Sequence, residues 1–247
     1  MRSMRRFALL AGIGAVGLLA FAPSAMAQDR EYEVTITNLT SGQPLTPPVV
    51  ATHHGRHAVF EVGQPASVGV REIAENGNSA PLREFIQSDP LGQFAGFAET
   101  MEPLVPPGTP GEEEMGFEQS ATLTVEGGRR ANRLSWVSML ICTNDGFTGV
   151  DGLELPAKVG KSTTESTNAY DAFTELNTER YADIVPPCQG LIGDFGDPGT
   201  AVSNPALAQG GVITHHAGIQ GGVGRDLDPE LHGWEDPVAT IEVERTG

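Results

Sequence analysis

The chain has 247 residues, with 32 acidic against 15 basic side chains and a formal net charge of −17. A surface this acidic excludes an electrostatic nucleic-acid binder, whose phosphates need a basic footprint, and excludes docking on anionic lipid. It is compatible with divalent cations, with a demand for solubility or with a salty habitat.

The first residues carry Arg2, Arg5 and Arg6, then an apolar run from Phe7 to Phe21, then Ala25-Met26-Ala27. That succession predicts a secretory signal peptide over residues 1–27. The apolar run is shorter than the roughly 20 residues that cross a bilayer, so a retained anchor is the weaker reading. Cleavage removes three arginines and no acid, which takes the net charge from −17 to −20. Residues 28–247, rich in Gly and Pro, fit one large all-β domain that is not inserted in a membrane.

Within that span Tyr32, Val34 and Ile36 alternate with polar residues in Glu31 to Asn38, which predicts a half-buried strand. Ser67 to Glu75 is amphipathic enough for a short helix ended at Asn76-Gly77, and Ser79 is placed to cap another starting near Pro81. Pro103 to Glu114 reads as a solvated loop. Ala121 to Glu126 alternates again, and Leu134 to Cys142 is nearly continuous apolar sequence, as expected of a strand covered on both faces. The Gly127-Gly128 pair between them predicts a turn, so 121–142 is expected to be a hairpin. Gly193 to Gly224 is a long Gly-rich stretch, and Ala239 to Glu244 forms a closing strand expected to pair with the first. The sum predicts an all-β antiparallel sandwich with short accessory helices and long loops.

Two cysteines occur, Cys142 and Cys188. In an oxidising compartment an even pair reads first as a disulfide, with two buried thiols as the alternative. After the apolar strand comes Thr143-Asn144-Asp145-Gly146-Phe147-Thr148-Gly149. Hard cations take six to eight oxygens, and such a loop offers carboxylate, amide and carbonyl oxygens at close range; it is equally what an ordinary turn looks like. A second cluster spans Ala169 to Glu179. Were Thr174 to Arg180 a helical turn, Asp171 and Glu175 would share a face and demand a cation between them. The bland reading is a solvated acidic turn.

Six histidines fall at 53, 54, 57, 215, 216 and 232. Imidazoles can gather around zinc or copper, but these spacings do not converge by themselves, and hydrogen bonding to backbone is the default. No nucleophile elbow, phosphate loop or dinucleotide fingerprint is present. Glu99 and Glu102 could form a glycosidase-like acid pair, although nothing singles them out. Trp136 and Trp234 are expected to be packing residues.

Four motifs stand in a fixed order along the chain. They are Pro47-Pro48-Val49-Val50-Ala51-Thr52-His53; Ser135-Trp136-Val137-Ser138-Met139-Leu140 with Asn144-Asp145-Gly146-Phe147-Thr148-Gly149; Tyr170-Asp171-Ala172-Phe173-Thr174-Glu175; and Asp236-Pro237-Val238-Ala239. This series resembles the spondin N-terminal domain family from about residue 31 to residue 245. The resemblance implies a C2-like β-sandwich of about eight strands, found in matrix and adhesion proteins, with one calcium ion held by three acidic side chains. Carried over position by position, these are Asp145, Asp171 and Glu175. Phe173 stands where the family usually has Gly, and Glu175 where animal members have Asp. The thrombospondin-type repeats of the animal proteins do not follow, so their partners are not carried over.

The expectation is an exported, non-enzymatic, calcium-binding module, secreted, periplasmic or at the cell surface, whose partner is an extracellular protein or glycan. The alternatives are a secreted hydrolase of carbohydrate or ester bonds and a purely structural envelope protein.

Overall fold

A computed structural model describes residues 30–55, 59–89, 91–128 and 130–247. The expected signal peptide and His57 lie outside the described residues. The described chain runs β1 (Arg30–Asn38), β2 (Val49–His53), α1 (Val68–Asn76), α2 (Ala80–Ser88), β3 (Phe94–Glu99), α3 (Pro110–Glu113), β4 (Ser120–Gly127) and β5 (Arg133–Met139). It continues through β6 (Gly146–Glu154), β7 (Ser162–Thr167), β8 (Ala169–Asp171), α4 (Pro187–Ile192), β9 (Thr214–His215), α5 (Pro229–His232) and β10 (Ala239–Arg245).

Two antiparallel sheets result, of order β4-β1-β10-β7 and β3-β2-β5-β6-β8-β9. The terminal strands pair as expected, with Ile36 opposite Ile241 and Val34 opposite Val243. Their alternating side chains explain why. Tyr32, Val34 and Ile36 of β1 and Ile241 and Val243 of β10 are fully buried, and they meet Leu134 and Trp136 of β5 in the space between the sheets. Each fully buried aliphatic side chain contributes about 1.5–3 kcal/mol.

The opposite face of the six-stranded sheet is also covered. Val137 and Met139 of β5 pack with Val70 and Ile73 of α1, Leu82 and Ile86 of α2, and Leu191 of α4. This double coverage is what the unbroken apolar run around Trp136 anticipated. Helix α1 starts where Ser67 Oγ accepts the Val70 amide at 3.2 Å and ends at Gly77, whose left-handed φ of 65° allows its amide to reach Ile73 O.

The ten strands among the described residues, some of them only two or three residues long, form the expected all-β antiparallel sandwich. Three expectations need correction. Strands β4 and β5 do not form a hairpin; they belong to different sheets, and Gly127-Gly128 lies where the chain crosses between them. The interior decides this, because β4 buries only one face whereas β5 must be covered on both. Pro103 to Glu114 is not wholly solvated: Leu104 and Val105 are buried, and Leu45 pairs with Leu104. Ser79 precedes α2 without capping it, since its hydroxyl donates to Glu99 at 3.0 Å.

Candidate cation site

The loop between β5 and β6 reverses the chain tightly. Thr143 Oγ1 donates to Leu140 O at 2.6 Å and accepts the Gly146 amide at 2.9 Å, so one hydroxyl staples both sides of the turn. That turn delivers Asp145 to the end of β6, where Gly146 pairs with Asp171 of β8. The two acidic stretches singled out in the sequence therefore meet through strand pairing. Ala172 N donates to Asp145 O at 3.2 Å and closes the junction.

Asp145 is fully buried. Its Oδ2 accepts the amides of Thr174 at 2.7 Å and Glu175 at 2.9 Å, with the Thr174 hydroxyl at 3.3 Å. Its Oδ1 is buried and has no hydrogen-bond partner. An ionised carboxylate with one bare oxygen in a dry site is costly. Burial, and after it the like charge of Asp171, pushes the Asp145 pKa up to about 7.

Asp171 Oδ1 accepts the Phe173 amide at 2.7 Å and Oδ2 accepts from Asn177 Nδ2 at 2.7 Å. Phe173 sits at φ 56°, in the left-handed region, which is the conformation that Gly takes most easily. The position where the sequence departs from the resembled pattern thus retains the backbone that glycine would supply. The Phe173 ring lies against Gly211, where an added Cβ would come within 2.5 Å of it.

Glu175 is buried, but no helical turn forms over 174–180, so it does not share a helix face with Asp171. Its residue bridges to Ala208, and its Oε1 accepts the Asn204 amide at 2.8 Å. Burial raises its pKa to about 7, with Glu75, Asp145 and Asp183 adding to the rise against the Asn204 amide. Among the described residues, no three His, Cys, Asp or Glu side chains form a ready metal cage. The structure brings Asp145 and Asp171 together and places the Glu175 amide on Asp145, while the Glu175 carboxylate is turned to the 203–211 loop.

Sequence reasoning missed the partners that hold this loop. Asn144 Oδ1 accepts the Glu179 amide at 3.1 Å and its Nδ2 donates to Thr178 Oγ1 at 3.2 Å. Glu179 is buried rather than part of a solvated acidic turn. The only local hint was its position at the end of an acidic cluster next to Arg180.

The described histidines do not gather with these acids into a metal cluster. His53 Nε2 pairs with Ser135 Oγ at 2.7 Å, and His54 with Gly92 O at 2.8 Å. His216 meets Trp234 edge to face with centroids 5.1 Å apart, and its Nδ1 accepts the Gly218 amide at 3.0 Å. Burial lowers the His216 pKa against the nearby charges of Asp171, Glu179 and Asp236, and its Nε2 is buried without a hydrogen-bond partner. Glu99 is engaged by Arg83 and Ser79.

The raised pKa values make a signed prediction for the ion-free protein. Between pH 4 and 7 the folded Asp145 holds a proton that the unfolded carboxyl has released, so its contribution to stability is full below about pH 4 and is lost as the pH rises through 7. In urea unfolding with excess chelator, the stability of the wild type relative to Asp145→Asn is expected to fall across that window. A rise would contradict the buried, unpaired carboxyl.

The family model described as Spondin_N matches residues 40–176, more than half of the chain, and includes Asp145, Asp171 and Glu175. No curated protein matches the chain.

Proposed function

Because the chain belongs to the spondin N-terminal domain family, we propose that it is an exported binding module of the adhesion or matrix type, ordered by a calcium ion at Asp145 and Asp171. The family is extracellular, and the Cys142–Cys188 disulfide fits an oxidising compartment. No described helix is long and apolar enough to cross a membrane.

The observation that carries the reading is Asp145 Oδ1, a fully buried carboxylate oxygen without a donor, in a cluster where Asp171 opposes ionisation. Two species can relieve that arrangement, a proton or a cation. Near pH 7 the proton is half lost, whereas a divalent cation would stabilise both carboxylates in their charged form. The donors are all hard oxygens, as calcium requires, and the neighbouring His216 accepts the Gly218 amide at Nδ1, which leaves the proton of a neutral ring on its buried, unpartnered Nε2. Glu175 would complete the set by giving up the Asn204 amide. The ion would supply positive charge that fixes the 143–146 turn against the 171–175 segment. In this reading the ordered loop end presents a recognition surface for an extracellular protein or glycan, and the module has no catalytic role.

Thermal melting in calcium and in excess chelator tests it. A ligand at 100 times its Kd adds about 2.7 kcal/mol, which for a chain of this size raises Tm by roughly 5–11 °C. Asp145→Asn and Asp171→Asn are each expected to abolish the difference. Identical melting of the wild type in both conditions would refute the site.

A further inference from the structure

We propose that the outer edge of β4 docks an extended, lysine- or arginine-bearing segment of another protein, which adds to the four-stranded sheet as a fifth strand.

Among the described strands β4 pairs only with β1, so its other side is a sheet edge. Which backbone groups face out follows from the register. Asn38 N donates to Gln119 O at 3.0 Å, and Ile36 stands opposite Ala121, so Gln119, Ala121, Leu123 and Val125 turn their polar groups toward β1. Ser120, Thr122 and Thr124 therefore turn theirs outward. The two residues that flank this series are already engaged. The Glu118 carbonyl accepts the Val105 amide at 3.0 Å, and the Glu126 carbonyl accepts the Thr52 hydroxyl at 2.6 Å. Strand β3 also seals the second end, since a Cβ on Gly96 would lie 2.0 Å from Glu126 O. The edge is thus closed at both ends and open over Ser120 to Thr124.

Beside the open section lies a cleft of about 590 Å³, walled by Glu99 to Leu104 on one side and by Met115 to Leu123 on the other. An added strand needs such a space next to an unpaired edge, with backbone bonds giving affinity and side-chain contacts giving selectivity. Natural edges are usually blunted by Lys, Pro or a bulge. The β4 sequence SATLTVEG contains neither Lys nor Pro, and its pairing with β1 runs without a register shift.

The charge of the walls selects the partner. The cleft is lined by Glu99, Glu102 and Glu118 and by no Lys or Arg. Arg83 neutralises Glu99, whereas Glu102 and Glu118 are exposed. Met101 is 85 % exposed and Met115 49 % exposed, giving flexible apolar contacts that adapt to different side chains. A segment with apolar residues toward the methionines and cations toward Glu102 and Glu118 fits these walls.

The probe is a fluorescent pentapeptide alternating lysine and valine, the length of the open section, compared with its glutamate-valine counterpart by anisotropy at low and high salt. The lysine peptide is expected to bind the wild type, more weakly as salt rises, and the glutamate peptide not to bind. Thr122→Pro deletes one outward amide at a position where an edge strand tolerates proline, and is expected to weaken binding at least tenfold while circular dichroism is unchanged. The double variant Glu102→Lys, Glu118→Lys leaves the backbone intact and should weaken binding as strongly. Equal binding of both peptides, or binding that survives both variants, would overturn the proposal. So would absence of binding at millimolar peptide, or concentration-dependent dimerisation of the chain lost in Thr122→Pro, which would assign the edge to a second copy.

Discussion

Replacing Cys142 and Cys188 together by alanine is expected to lower stability by about 4 kcal/mol and Tm by roughly 8–16 °C. The bridge joins residues 46 apart with Cα atoms 5.1 Å apart, tying the end of the β5 segment to Cys188 of α4, and both cysteines are fully buried in the helix-covered cluster. Cross-linking a loop of that length removes closure entropy from the unfolded chain, and this sets the magnitude. The closed loop contains Asp145, Asp171 and Glu175, and Cys142 lies three residues before Asp145. On the calcium reading proposed above, the double variant should also bind the ion more weakly, because its carboxylates are no longer pre-gathered before the ion arrives. Urea unfolding of the double alanine variant and the wild type in chelator measures the first effect, and calcium titration the second. A stability loss below about 1 kcal/mol would mean that the unfolded loop is already restricted by residual structure.

Glu179→Ala is expected to cost about 2–5 kcal/mol, because it leaves backbone amides without their acceptor. The Glu179 carboxylate is buried and fully engaged. Oε1 accepts the Gln220 amide at 2.9 Å and the Arg225 guanidinium at 2.8 Å, and Oε2 accepts the Gly221 amide at 2.7 Å. Its own carbonyl accepts Asp226 N at 2.8 Å and Leu227 N at 3.2 Å, and its amide is held by Asn144. One residue thus ties the Gly-rich 217–227 segment to the turn that carries Asp145. Truncation leaves two amides without their acceptor, at about 1–3 kcal/mol each, and removes the partner of the exposed Arg225, so the loss exceeds that of an exposed ion pair. Glu179→Gln keeps the shape and an acceptor oxygen, and should cost clearly less than alanine. Equal stability of the alanine variant and the wild type in urea would show that water replaces the carboxylate without penalty. Hydrogen exchange over 217–227 should rise in the alanine variant before global unfolding.

The alternation of Tyr32, Val34 and Ile36, and of Ile241 and Val243, was enough to give strands that bury one face and pair at the chain ends. The unbroken run around Trp136 gave a strand covered on both faces. Ser67 and Gly77 bounded α1, and the cysteine pair gave its own bridge. The strand and helix signals are local, because side-chain period and capping chemistry are written in adjacent residues, whereas the bridge followed from there being just two cysteines. Tertiary structure alone decided that β4 and β5 part into different sheets, since alternation tells which face of a strand is buried and not which strand lies beside it. It also decided the state of the acids. Asp145, Glu175 and Glu179 look alike in sequence, as members of an acidic chain. In the fold, Asp145 has a bare buried oxygen, Glu175 is turned to Asn204, and Glu179 is satisfied by amides some 40 residues further on. Burial and hydrogen-bond supply are set by whatever distant segment packs on top, and they determine whether a carboxylate is a staple, a proton carrier or a seat for a cation.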